Sequence, residues 1–147
     1  MRSTYRVLAY LIATLVAVQA AAMALGFFTI IHEVEDGGSF TAGYNFEGNL
    51  GLMMHRFVGM GLIPLLAIAL LIVALVSGVP GAAGRAGAVF GLIVLQIALV
   101  FLAFFVTWGG ALHGINALAV FVSAVWAARL DMDRTHVGES ESAVVAA

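Results

Sequence analysis

The chain contains no cysteine. Disulfides and thiolate metal sites are therefore excluded. It contains no lysine either, because all six of its basic residues are arginine. Only 10% of the residues are charged, against about 25% in an ordinary soluble domain. With so few cations there is no basic face for a nucleic acid. No nucleotide-binding loop and no catalytic dyad is present. What fills the chain instead is apolar: 63% of the 147 residues are hydrophobic and the mean hydropathy is +1.12.

The few ionisable residues are grouped. No Asp, Glu, Lys, Arg or His lies between Arg6 and His32, between Arg56 and Arg85, between Arg85 and His113, or between His113 and Arg129. A spanning helix needs about 20 mostly apolar residues. These gaps predict four spans, at residues 5–31, 52–76, 86–108 and 111–128. Lipid offers no partner to an open backbone group, so each span is helical. Ser77, Gly78, Pro80 and Gly81 break the chain between the second and third. The expected fold is an all-α, four-helix transmembrane bundle over residues 1–134. A disordered cytoplasmic tail follows at residues 135–147.

Orientation follows from arginine. With an even number of spans, Arg2, Arg6, Arg85, Arg129 and Arg134 share one side. The other side carries Arg56 among Glu33, Glu35, Asp36 and Glu47. The excess of arginine predicts that the first side, with both termini, is cytoplasmic. Multi-pass insertion in a bacterial cytoplasmic membrane is the expected localisation. A cleaved signal peptide ending near Ala22-Met23-Ala24 is the rival reading. The apolar stretch runs on through Phe27, Phe28 and Ile31, too long for that purpose.

The chain also resembles itself. Leu15-Val16-Ala17-Val18-Gln19 parallels Leu92-Ile93-Val94-Leu95-Gln96, and Phe27-Phe28 parallels Phe104-Phe105 at the same offset. Each stretch leads to a helix that opens with a histidine. His55 is followed by Gly59 and Gly61, and His113 by Ala117 and Ala119 at the same offsets. This suggests one helical hairpin used twice. The outer loop of the first copy, from His32 to Gly51, is long and holds Phe40, Tyr44 and Phe46. It reads as a solvated connection.

Polar residues within spans face the bundle interior. Here they are Gln19, Gln96, His55, His113, Asn116 and Arg56. The glutamines fall near mid-membrane, where pairing across the bundle would stabilise it by about 1 kcal/mol. The histidines fall near the outer face, within about a turn of their helix starts. Sequential packing would put the second and fourth helices on a diagonal, with His55 and His113 at one depth. Two imidazoles so placed can ligate one haem iron. Gly59 and Ala117 would leave room for the ring, and Arg56 would pair with a propionate. A bland reading sets beside this one, in which the histidines merely tolerate the interface. A third uses His32, His55 and His113 for zinc or copper, although the HxxxH type of spacing is missing.

The run Met54-His55-Arg56-Phe57-Val58-Gly59 resembles the His-Arg helix start of haem A synthases. In that family each four-helix half holds a haem between histidines of its second and fourth helices. The resemblance implies His55 and His113 as the axial pair. It covers the helix order and a few residues. The family's glutamate three positions earlier is here Leu52, so the resemblance does not extend to oxidation of a haem methyl. Over nearly its full length the chain is similar to a group of small, uncharacterised four-helix membrane proteins common in actinobacteria. That similarity rests on Phe46-Glu47-Gly48-Asn49, His55-Arg56-Phe57-Val58-Gly59 and Ala111-Leu112-His113-Gly114-Ile115-Asn116-Ala117. It implies a fold and no activity.

Two functions are thus expected to compete. One is a haem b protein for electron transfer or haem handling, with a quinone or other redox partner. The other is an accessory or packing subunit without cofactor, in a larger membrane complex or a homo-oligomer. In the second, Gly59, Gly61, Gly84, Gly87 and Gly91 would serve close helix packing. A transporter or ion conduit is a weaker third reading, because intramembrane acids are scarce.

Overall fold

The computed structural model describes residues 1–41, 43–44 and 46–130. The tail expected at 135–147, and with it Arg134 and His136, lies outside the described residues. Four helices account for most of the rest: α1 (Arg2–Glu35), α2 (Leu50–Val76), α3 (Ala82–Ala103) and α4 (Trp108–Ala128). A single 3₁₀ turn, Phe46–Gly48, precedes α2. Each helix is long and apolar enough to cross a bilayer. The protein is an all-α, multi-pass membrane protein.

The helices pack in sequence order around a square, α1 on α2, α2 on α3, α3 on α4, and α4 back on α1. Both diagonals, α1 with α3 and α2 with α4, therefore meet only across the bundle axis. Lipid removes the hydrophobic drive between helices, so close approach depends on small side chains. The apolar core obeys this. Ala9, Ala13, Ala67, Ala74, Ala82, Ala86, Ala124, Ala127 and Ala128 are buried, interleaved with Tyr5, Ile12, Leu70, Val89 and Val120. All of these lie in the half of the bundle that carries Arg2, Arg6, Arg85 and Arg129. The other half is filled by Gln19, Ala22, Gly26, Asn49, Gly51, Gly109 and Asn116. One half is thus an alanine-rich core, and the other is polar and small.

The arginine end is tied laterally. Arg85, placed by charge in a connection, stands in the first turn of α3. Its guanidinium donates to Trp126 O at 2.7 Å and lies over the Trp126 ring at 4.4 Å. Buried Tyr5 donates its hydroxyl to Ala82 O at 3.4 Å across the diagonal. Between α2 and α3 the chain turns through Gly78 (φ 66°) and Gly81 (φ 81°), a conformation that favours glycine.

The acidic end is built differently in the two hairpins. The long loop between α1 and α2 folds back on α1, where Tyr44 donates to Glu33 at 2.8 Å. Below it, Asn49 is fully buried. Its Oδ1 caps α2 by accepting from Leu52 N at 3.0 Å, and its Nδ2 donates to Gly26 O of α1 at 2.8 Å. Next to it the backbones of Gly51 and Gly26 are in direct contact, so a methyl on Gly51 would overlap Gly26 N, Gly26 Cα and Ala22 O. The second hairpin uses a short turn. α3 ends at Ala103, and Trp108 opens α4 rather than closing α3. Gly109 makes that turn possible, since a Cβ there would lie 2.6 Å from Ala103 N.

One irregularity interrupts α2. Residues Val58–Leu62 form a π turn, closed by Ile63 N to Val58 O. Pro64 supplies the reason. It has no N–H for Met60 O and its ring crowds that carbonyl, so the helix widens where the bond would have been.

The α1–α2 clamp predicts two outcomes. Asn49→Ala removes a cap and leaves Gly26 O without its donor, and is expected to cost roughly 2–4 kcal/mol. Gly51→Ala forces two backbones apart and is expected to cost more. Reversible unfolding in detergent, followed by tryptophan fluorescence, checks both. Stability equal to that of the unsubstituted protein in either variant would contradict the clamp.

Candidate functional site

A single register places the histidines. Counting from Leu50, His55 is the sixth residue of α2; counting from Trp108, His113 is the sixth of α4. Five rises of about 1.5 Å set both imidazoles about 7–8 Å inside their helix starts. This is deeper than the sequence suggested, because Asn49 and Gly109 let both helices begin earlier than expected. The glutamines lie at the same level as the histidines rather than below them.

Across the diagonal the two imidazoles meet, with ring centroids 6.2 Å apart and planes at 65°. Each is held by the same contact in its own hairpin. His55 Nδ1 donates to the backbone carbonyl of Gln19 at 3.2 Å. His113 Nδ1 donates to the backbone carbonyl of Gln96 at 3.1 Å. A carbonyl can only accept, so both rings carry their proton on Nδ1 and turn Nε2 away as the basic nitrogen. The positions matched in the sequence as a repeat thus make matched contacts.

The glutamine side chains do not pair across the bundle as expected. Each bonds within its own hairpin. Gln96 Nε2 donates to His113 O at 3.0 Å and to His113 Nε2 at 3.1 Å. Its Oε1 accepts from Asn116 Nδ2 at 2.6 Å, and Asn116 Nδ2 also donates to Leu92 O at 2.9 Å. Both amide nitrogens in this cluster meet acceptors and Gln96 Oε1 meets a donor, which supports these amide orientations. Gln19 is poorer. Its Nε2 reaches Met54 O at 3.5 Å, and its Oε1 is buried without a partner. The residue that answers Asn116, three positions after the histidine, is Val58 in this hairpin, and valine donates nothing. Only comparison of the two halves at that offset would have revealed the orphan from sequence.

The remaining candidates divide. Gly59 does not face open space, since a Cβ there would lie 3.1 Å from Gln19 Oε1. Its lack of a side chain admits the glutamine amide. Ala117 lies one turn below His113 and is half-buried. Arg56, beside His55, is exposed and forms no ion pair among the described residues. His32 is on the rim, pairing with Glu35 at 3.4 Å with both side chains largely exposed. Among the described residues no group of three or more His, Asp or Glu is placed to hold a metal ion. His32 therefore does not join His55 and His113.

The unequal polar clusters predict unequal costs. Gln96→Leu removes the side chain that meets His113 O, His113 Nε2 and Asn116 Nδ2 and is expected to destabilise the bundle by roughly 1–3 kcal/mol. Gln19→Leu discards an amide that is already half unsatisfied and is expected to cost at least 1 kcal/mol less. Steric-trap or detergent unfolding of the two variants checks the order, and equal losses would contradict it. Comparison with known protein families, with curated proteins and with solved structures gave no match to this chain.

Proposed function

We propose that the protein binds haem b between His55 and His113, in the outer half of a bacterial cytoplasmic membrane, for electron transfer or haem handling. The observation that carries this reading is the diagonal imidazole pair. Both rings donate Nδ1–H to a backbone carbonyl, the usual partner of a metal-ligating histidine, which sets the ring and raises the basicity of Nε2. A metal–imidazole bond of about 2.0–2.1 Å on each side would set two ring centroids roughly 6 Å apart, close to the 6.2 Å observed. Without cysteine there is no thioether attachment, so the haem would be held non-covalently.

By its donor set the site fits the group. His55 and His113 would hold it through Nε2. Arg56, exposed on the outer side, is available to a propionate. Gln19 and Gln96 hold the rings through their carbonyls. For His113 to ligate, Gln96 Nε2 gives up its contact to the ring nitrogen and keeps its bond to His113 O. When bound, haem supplies reversible one-electron chemistry. Its depth would suit exchange with a quinone in the bilayer or with a donor at the outer face. The orientation, with the arginine end in the cytoplasm, rests on the distribution of arginine.

A second reading has its own observation. On α3 a Cβ added at Gly84, Gly87 or Gly91 would meet nothing within 4 Å. An accessory subunit would use such a flat helix surface against a partner helix or a second copy.

An absorption spectrum of the detergent-purified protein, expressed with a haem precursor, separates the two. A sharp Soret band with resolved α and β bands on dithionite reduction is expected. His55→Ala and His113→Ala should each abolish this low-spin spectrum. A featureless spectrum at full protein yield, or a haem band indifferent to both substitutions, would overturn the haem reading. Co-purification of a stoichiometric membrane partner without chromophore would favour the accessory one.

A further inference from the structure

The two histidines are matched in register and contact, yet unequal in how they are held. Around His113 the mount is denser. Nδ1 is held by Gln96 O, the Gln96 amide spans His113 O and Asn116, and Asn116 ties the cluster to Leu92 O. Around His55 there is one ring bond, at 3.2 Å, and a marginal contact from Gln19 to Met54 O. Gln19 is only 8% exposed, and its Oε1 still has no donor. The backbones differ as well. α4 runs regularly below His113, whereas α2 opens into the π turn at Val58–Leu62 three residues after His55. A π turn has weaker and more strained backbone bonding than an α turn, and such turns recur where a helix changes shape.

We infer that His113 is the fixed ligand of the site and His55 the exchangeable one, so that a neutral ligand of diatomic size can take the place of His55 on the α2 side. This rests on the haem reading. Such an exchange would be a substitution without redox change, in which the incoming ligand would take the place of the His55 imidazole and the ring would move aside with its helix segment. Val58 is the residue that leaves this side loose. An asparagine there, in the place that Asn116 occupies opposite, would donate to Gln19 Oε1 and stiffen the mount of His55.

Carbon monoxide is the probe. Added to the dithionite-reduced, haem-loaded protein, it is expected to shift the Soret band. Val58→Asn should slow its association by about tenfold, the effect of roughly one added hydrogen bond on the opening step. Asn116→Val should not slow it. His55→Ala should retain haem in five-coordinate form and bind carbon monoxide at once, whereas His113→Ala should lose haem. If a bis-histidine spectrum is present but carbon monoxide never binds, or the two alanine variants lose haem equally, the inequality is overturned while the haem reading stands. If the wild-type protein shows no haem band, the haem reading fails, and the inequality is tested on the apoprotein by imidazole ¹⁵N NMR. There both imidazoles should be Nδ1–H tautomers, His113 with narrow lines and His55 with lines broadened by exchange of the ring between positions. Equal line shapes would overturn the inference.

Discussion

A polar side chain inside a bilayer has no water to turn to, so its partner must come from the protein. In this bundle the requirement is met by one contact used twice, an imidazole N–H donated to the backbone carbonyl of a glutamine on the preceding helix. Backbone carbonyls sit at fixed positions on a helix, so this contact fixes ring height, ring rotation and tautomer together. The rest of the outer half is arranged around it. Gly59 is small so that the Gln19 amide can lie beside α2, and Asn116 is polar so that the Gln96 amide is complete. Removing either imidazole would take from a backbone carbonyl the side-chain donor that ties its helix to the next.

The halves of the bundle divide the work. Alanines from all four helices make a close, apolar core toward the arginine end. There Arg85 over Trp126 and Tyr5 on Ala82 O lace three helices together. That core leaves the other half free to be polar.

Much of this was legible in the sequence. Four runs without charge give four helices, because lipid admits few alternatives. The matched glutamines and histidines were visible as a repeat, and with sequential packing they gave the diagonal pair. Other features were not legible. Histidine depth was underestimated because Asn49, an unremarkable loop residue by composition, is the buried cap that starts α2 early. The π turn has its signal in Pro64, which hydropathy alone passes over inside an apolar run. The glutamine pairing went astray for a more general reason. Composition shows that two amides share a layer but not that each has a nearer carbonyl in its own hairpin. Gly59 was assigned to a ring, whereas its neighbour is Gln19, and no spacing rule distinguishes a glycine that admits a cofactor from one that admits a side chain.

The two hairpins reach the same register by different rulers. In the second, the few residues from Phe104 to Thr107 set where α4 begins, and Gly109 sits against Ala103. One extra residue in that turn would rotate His113 by about 100° around its helix. In the first, the loop is too long to measure anything, and the contact of Gly51 with Gly26, locked by Asn49, does so instead. The two connections therefore tolerate editing very differently. The long loop above Asn49 can be lengthened, shortened or grafted without moving His55, and is the natural place to insert a tag or a soluble domain. The short turn admits no such change, and the geometry of the diagonal pair is carried through it residue by residue.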